Sequence, residues 1–404
     1  MVERLLRLGV PDGEAYEISP QPSAWPFVFA VFALSRLLYL GTGALAAAML
    51  PWAKPITAQV NEPGFLSYWA HWDGAWYSEI ATEGYSPMST TFFPIFPMLL
   101  RLGTAVGGSP ALWGVLISLI ATLFALYFLY GIAEKLYGIK AARITVLTLA
   151  FFPTALFLNA VYTEALYLAL TTGSFWAAYV RRDLLLAGLI GALAAATRNF
   201  GVLLLIPLGY EWVRNRQEFG WRGLVQVGIV PTGLLGYMAF LWIRFGDPLS
   251  FLNAQATFWA RDLTNPATAL GMAWSRAVEG LPRFLDPASM FLDPRSGLAV
   301  QEAYNTMSFA FLVFLVLVVG VGFVVLRPDL AVYTFLITLP PVLAPYQPAP
   351  LMGLPRYALG AFPLFLILGY LLSRSRLGLY SWLLVSGILS IAFTALFVTW
   401  RWMV

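Results

Sequence analysis

Apolar stretches long enough to cross a bilayer, each closed by a short turn, recur along almost the whole chain. A span needs about 20 apolar residues, fewer where neighbouring helices shield it. About eleven segments qualify: 27–49, 109–131, 141–158, 161–180, 184–197, 200–214, 222–244, 307–326, 329–345, 357–372 and 378–400. The turns between them alternate in charge. With the N-terminus inside (Arg4, Arg7), the inside turns carry Lys135, Lys140 and Arg143, then Arg181 and Arg182, then Arg214, Arg216 and Arg222. Arg327 follows, and Arg374 and Arg376 close the series. Excess Lys and Arg marks the cytoplasmic side, so the alternation predicts both an orientation and a span count. The expected fold is one all-α, polytopic membrane domain over 1–404 with about 11 transmembrane helices. Its other side carries the loaded segments: a first extracytoplasmic loop (50–108), a second (245–306) and a turn at 345–355.

Inside the first loop the spacing predicts a helix over 65–83. Phe65, Trp69, Trp72, Trp76 and Ile80 recur at helical intervals and form one apolar stripe. Trp and Tyr favour the membrane–water boundary, so this helix is expected to lie in the interface plane. Asp73 falls on the shoulder of the stripe, with Tyr77 one turn later. Gly84 and Pro87 end the helix, and 92–102 reads as a second interfacial helix stiffened by Pro94 and Pro97.

A carboxylate among Trp69, Trp72, Trp76 and Tyr77 is costly to bury without a task. Residue chemistry leaves two tasks open for Asp73: a general base for an attacking hydroxyl, or a cap or salt bridge for the helix. His71 is the only histidine. On a regular helix it projects about 200° from Asp73, which argues against a dyad. A metal site wants three or more converging ligands, and Glu79 and Glu83 do not share its face. His71 is therefore expected at the interface or against substrate.

Composition narrows the class further. The chain is 60% hydrophobic and only 11% charged, against roughly 25% charged for soluble domains. The net charge of +4 is scattered over short turns, which excludes a nucleic-acid surface. Without Cys there are no disulfides or thiolate metal sites. Residues 1–22 are polar, with Arg4 and Arg7 set among Glu3, Asp12, Glu14 and Glu17, and are not expected to form a cleavable signal. No Gly-rich strand-to-helix turn, P-loop or Asp-x-Asp pair is present to hold a nucleotide or its metal. An activated substrate would have to come from the membrane. No internal repeat of the kind that marks many transporters is visible.

Four further polar elements stand out. Arg36 lies near the middle of the first segment, where an arginine needs a partner; a structural role or a lipid-phosphate contact would each supply one. Asn159-Ala160-Val161-Tyr162-Thr163-Glu164 forms a turn whose Glu is either functional or a dipole-favoured helix start. Thr197-Arg198-Asn199-Phe200-Gly201 brings a cation to the meeting of two short helices, and a guanidinium fork is matched to phosphate. Leu354-Pro355-Arg356-Tyr357 repeats that situation. Asp247-Pro248, Asp286-Pro287 and Asp293-Pro294 read as turns, and Gln255 is a possible sugar contact.

His71-Trp72-Asp73-Gly74, with Phe92-Phe93-Pro94-Ile95-Phe96-Pro97, resembles the first lumenal loop of the PIG-V-like mannosyltransferases of the glycosyltransferase-C superfamily. The Tyr162-Thr163-Glu164, Arg198-Asn199-x-Gly201, Gly246-Asp247-Pro248 and Arg356-Tyr357…Phe362-Pro363 elements resemble family elements in the same order. The family more often has Arg where this chain has His71. The resemblance implies an inverting transfer of a hexose, mannose foremost, from a polyprenyl-phosphate donor to a lipid or glycan acceptor on the extracytoplasmic face. It implies Asp73 as base, with Glu164 as runner-up or as the group orienting the acceptor. Arg198, Asn199, Arg356, Tyr357, Tyr162, Tyr77 and His71 are expected to line the substrate. No resident cofactor is expected, and a divalent metal is left open. The Arg-rich, Lys-poor turns suggest a prokaryotic plasma membrane. A transporter or flippase of a lipid-linked sugar is the alternative class; a non-catalytic scaffold would leave the intramembrane Arg and Asp unexplained.

Overall fold

The computed structural model describes residues 24–53, 64–293 and 297–401. Arg4 and Arg7, the signal-free reading of 1–22, Lys54 and Pro294 lie outside the described residues. In chain order the helices are α1 (Trp25–Met49), α2 (Asp73–Glu83), α3 (Ile95–Val106), α4 (Pro110–Ala150), α5 (Glu164–Tyr179), α6 (Leu184–Ala195) and α7 (Leu205–Arg214). They continue as α8 (Arg216–Val227), α9 (Thr232–Phe245), α10 (Ser250–Trp259), α11 (Pro266–Phe284), α12 (Pro287–Leu292) and α13 (Gly297–Val325). The last are α14 (Pro328–Thr338), α15 (Pro340–Leu343), α16 (Leu354–Tyr357), α17 (Pro363–Leu372) and α18 (Arg376–Val398). Among the described residues the only β pairing is two isolated bridges.

Five stretches are long and apolar enough to cross a membrane: Trp25–Met49, Pro110–Ala150, Arg216–Phe245, Val300–Val325 and Arg376–Val398. Leu354–Gly360 and Pro363–Leu372, bent by 87°, would make a sixth, broken span. Ile95–Val106, Leu184–Ala195 and Pro328–Leu343 are apolar but shorter. The chain is thus an all-α, multi-pass membrane protein, while the expected eleven spans are not established. Several of those segments are helices too short or too bent to qualify alone. In α1 the two faces separate cleanly: Val28, Val31, Ser35, Arg36, Tyr39 and Gly43 are buried, and Phe29, Leu34, Leu37 and Leu45 are exposed. Apolar side chains on both faces of one helix suit a span with protein on one side and lipid on the other.

α4 doubles back on itself. Gly138 sits at φ 82°, ψ 170°, a conformation only glycine adopts freely. Beyond it the chain returns along its first half, so that Ser118 donates to Ala160 O (2.7 Å) and Thr122 to Leu158 O (2.9 Å). The returning arm is helical only to Ala150, short of the expected 158, because Pro153 has no N–H to give. Arg36 takes up the carbonyls released there. It donates to Ala150 O (3.2 Å), Ala155 O (3.3 Å) and Asn159 Oδ1 (2.9 Å), with its cation 4.9 Å from the Tyr39 ring. Arg36 is therefore a buried structural cation held by carbonyls and an amide.

The expected helix over 65–83 is broken. A 3-10 turn, Phe65–Trp69, precedes α2, and between them Trp72 takes φ 49°, ψ −110°. Trp69 is fully buried against Gly43 and Phe397. The stripe therefore splits, its first half anchored in the core, and α2 begins at Asp73 itself. The helix expected over 92–102 is α3, with Phe96 and Leu100 inward and Met98, Leu102 and Val106 exposed. In the second long loop Asp247 accepts from Leu249 N and Asn253 Nδ2, and Asp286 from Ser289 N, as turn residues do.

Candidate active site

Four elements distant in sequence meet at one end of the molecule. α2 starts with Asp73 close to the 159–163 turn; a Cβ on Gly74 would come within 3.2 Å of Val161 O. The same turn is stitched to the loop by Val161 N to Trp69 O (2.8 Å) and by Tyr162 OH to His71 O (3.0 Å). Glu164 opens α5, Arg198 precedes the 3-10 turn Asn199–Leu204, and Arg356 lies in α16. Their charges alternate in a chain. Arg356 donates to Asp73 Oδ2 (2.5 Å) and its Nε lies 3.3 Å from Glu164 Oε1, while Arg198 Nη1 lies 3.0 Å from the same oxygen.

Burial ranks the four. The Glu164 and Arg356 side chains keep 1% and 7% of their surface, against 22% for Asp73 and 14% for Arg198. Asp73 and Arg198 can therefore meet a ligand directly. The inner pair is poorly matched: Glu164 Oε1 and Arg356 Nε lie within ion-pair reach yet have no aligned hydrogen bond, and Glu164 Oε2 has none either. Buried charges are normally hydrogen-bonded as well as paired. Aromatic faces complete the walls. Arg198 lies 5.1 Å from the Tyr357 ring and Arg356 5.3 Å from Tyr162 and 5.7 Å from Phe157.

The remaining predicted residues divide. Tyr77 packs on Phe92 and Phe96 with its hydroxyl 3.3 Å from Thr163 Oγ1, and burial pushes its phenol up. Tyr162 and Tyr357 sit beside the arginines. Asn199 turns its Oδ1 back to its neighbour Phe200 N (3.0 Å), and no contact joins it to the charged chain. His71 is 1% exposed, stacked on Trp400 at 3.8 Å, with Nδ1 3.2 Å from Phe397 O. The backbone break at Trp72 turns it inward. Burial drives its pKa down to about 3, so the ring is neutral. Among the described residues no group of three His, Cys, Asp or Glu side chains could hold a metal.

Residues 89–230 match the family described as dolichyl-phosphate-mannose-protein mannosyltransferase. That match contains Glu164 and Arg198 and leaves out Asp73 and Arg356. Among solved structures, apo ArnT from Cupriavidus metallidurans is similar at 12% identity, covering 94% of this chain and 78% of that one, with a TM-score of 0.42. ArnT from the same organism bound to undecaprenyl phosphate gives 14% identity, 88% and 78% coverage, and 0.40. The Archaeoglobus fulgidus oligosaccharyltransferase complex with Zn and sulfate gives 14%, 90% and 53%, and 0.40. No curated protein matches in sequence.

Two supporting residues escaped sequence reasoning. Arg261 donates to Met352 O (3.2 Å), bracing the turn before Arg356. Arg401, fully buried, donates to Pro51 O, Thr399 Oγ1 and Phe291 O, tying the chain's end to the start of the first loop. A charged residue between Trp400 and Trp402 was the available signal for the second. Arg261 had none.

Proposed function

We propose that the chain is a membrane glycosyltransferase that moves a hexose, with mannose the favoured sugar, from a polyprenyl-phosphate donor to a lipid or glycan acceptor. The observation that carries this reading is the convergence of Asp73, Glu164, Arg198 and Arg356 into one partly open site with unmatched inner charges. The mannosyltransferase family match across Glu164 and Arg198 supports it.

The chemistry follows from the arrangement. Asp73, the more accessible acid, takes the proton of the acceptor hydroxyl, which attacks the anomeric carbon from the face opposite the phosphate. The sugar–phosphate bond breaks and its electron pair leaves with the polyprenyl phosphate. Arg198 and Arg356 stabilise the charge growing there, and configuration inverts. Glu164 holds both guanidinium groups in place. Tyr77, Tyr162 and Tyr357 form the walls against the sugar. The site lies on the extracytoplasmic side of a prokaryotic plasma membrane, with the N-terminus inside. Its association with a basic opposite end, where Lys135, Arg182 and Arg327 gather, supports that sidedness.

Reconstitution in liposomes with a radiolabelled polyprenyl-phosphate mannose, scored for product and sidedness, tests the reading. New glycosidic product from the lipid donor, and none from GDP- or UDP-sugars, is expected. Transfer directly from a nucleotide sugar would end it. Movement of intact lipid-linked sugar without bond formation would replace it with the flippase reading.

A further inference from the structure

Arg356 is shared between two anions. In the site as it stands its Nη1 is committed to Asp73 at 2.5 Å, and its Nε faces Glu164 without an aligned bond. Arg198 is held by the same Glu164 oxygen. These two cations and two carboxylates balance, and Arg261 adds its charge from the Tyr357 side, so an arriving phosphate can take Arg356 in full only where a carboxylate yields it. The carboxylate that can yield is Asp73, which keeps 22% of its surface, whereas Glu164 is sealed at 1%.

Resting on the glycosyltransferase reading, we propose that donor phosphate and Asp73 exchange places on Arg356, so that the base is masked until the donor is bound. An Asp whose Oδ2 is occupied by the Arg356 guanidinium does not offer that oxygen to an incoming hydroxyl. When the donor phosphodiester, with one negative charge, takes Arg356, Asp73 is left as an unpaired carboxylate beside the place where the acceptor hydroxyl arrives. The acceptor proton then passes to Asp73, the new carbon–oxygen bond forms, and the sugar–phosphate bond breaks. The negative charge that Asp73 loses reappears on the departing phosphate monoester, so the total charge of site and lipid is unchanged. Two arginines then face a phosphate that carries up to two charges. Loss of the proton from Asp73 restores its claim on Arg356 and helps expel the product. Donor therefore binds before acceptor is activated, and water finds no free base in the empty site.

The exchange predicts an outcome that simple loss of a catalytic group does not. Removing the competing carboxylate should tighten phosphate binding while abolishing transfer. The probe is undecaprenyl phosphate, with undecaprenol as the control, titrated onto full-length protein in nanodiscs. For Asp73→Asn and Asp73→Ser, affinity for the phosphate form should rise about five- to tenfold, in the range of ordinary coupling between sites. Affinity equal to or below wild type in a monodisperse variant overturns the exchange. An infrared difference spectrum of wild type needs no variant: adding undecaprenyl phosphate should shift a carboxylate band, and a flat spectrum overturns the exchange equally. Failure of the underlying reading looks different, since wild type would then bind undecaprenol as well as its phosphate, or neither.

Discussion

Two buried ion-pair networks occupy opposite ends of this molecule, and they are built to different standards. At the Arg327 end, Glu211 accepts from Arg182, from Asn215 Nδ2 (2.9 Å) and, through its second oxygen, from Arg327 (2.8 Å). Arg327 also donates to both Asp329 oxygens (3.1 and 3.3 Å), and Arg182 reaches Glu218 at 2.5 Å. None of these charged atoms is left buried without a partner. At the Asp73 end, Glu164 and Arg356 Nε touch opposite charges yet lack hydrogen bonds. A fully bonded network specifies and holds a fold, whereas a partly bonded one keeps unspent binding capacity. The first ties α7 to α14 and to the turn before α6. On the proposed function, a ligand completes the second.

The sharpest way to break this contrast is at Asp73. Asp73→Asn should leave expression and thermal stability near wild type while lowering turnover by about two to four orders of magnitude, the range for a positioned base. Transfer from radiolabelled lipid donor measures it. Next in size, Glu211→Gln should cost about 1.5–3 kcal/mol of stability, because it removes the charge that buried Arg327 shares with half-buried Arg182 and leaves them to Asp329 and Glu218. Glu164→Gln should cost distinctly less stability and more activity. Thermal midpoints in detergent, paired with turnover, decide this, and equal stability losses would erase the distinction between the two networks.

The sequence showed most of this architecture where a local rule applied. Lys135, Arg182 and Arg327, read as residues of basic turns, gather at one end, away from Asp73, Glu164, Arg198 and Arg356. The four site residues were visible because polar groups are rare in so apolar a chain. Their pairing was not visible: Asp73 and Arg356 are 283 residues apart. The helix over 65–83 failed for a physical reason. A stripe of aromatics carries helical spacing whether it faces lipid or core, and burying Trp69 beside Gly43 took precedence over continuity at Trp72. The same break turns His71 inward.

Smaller effects refine the picture. Arg198→Lys should raise the donor KM about tenfold, about 1.4 kcal/mol, with a lesser change in kcat, since an ammonium replaces the guanidinium fork poorly. An unchanged KM would remove Arg198 from phosphate binding. His71 yields the smallest effect, and one of stability rather than rate. Its folded pKa of about 3 lies below the ordinary 6.5, so the unfolded chain binds the proton first. The stability it confers is complete above pH 6.5 and declines as pH falls towards 3, by up to about 1.4 kcal/mol per unit. His71→Gln should flatten that part of the pH–stability curve relative to wild type, while turnover changes far less than in Asp73→Asn.

The 283-residue separation of Asp73 from Arg356 also sets a timetable for biogenesis. At about 5–20 residues per second, a ribosome needs roughly 15–60 s between making the acid and making its cation. Glu164 and Arg198 are 34 positions apart and can pair early, while Asp73 must wait for α16. A nascent chain inserted through α14 thus carries three of the four charges and lacks only Arg356. Assembly of the last sixth of the protein is the step that completes the cluster.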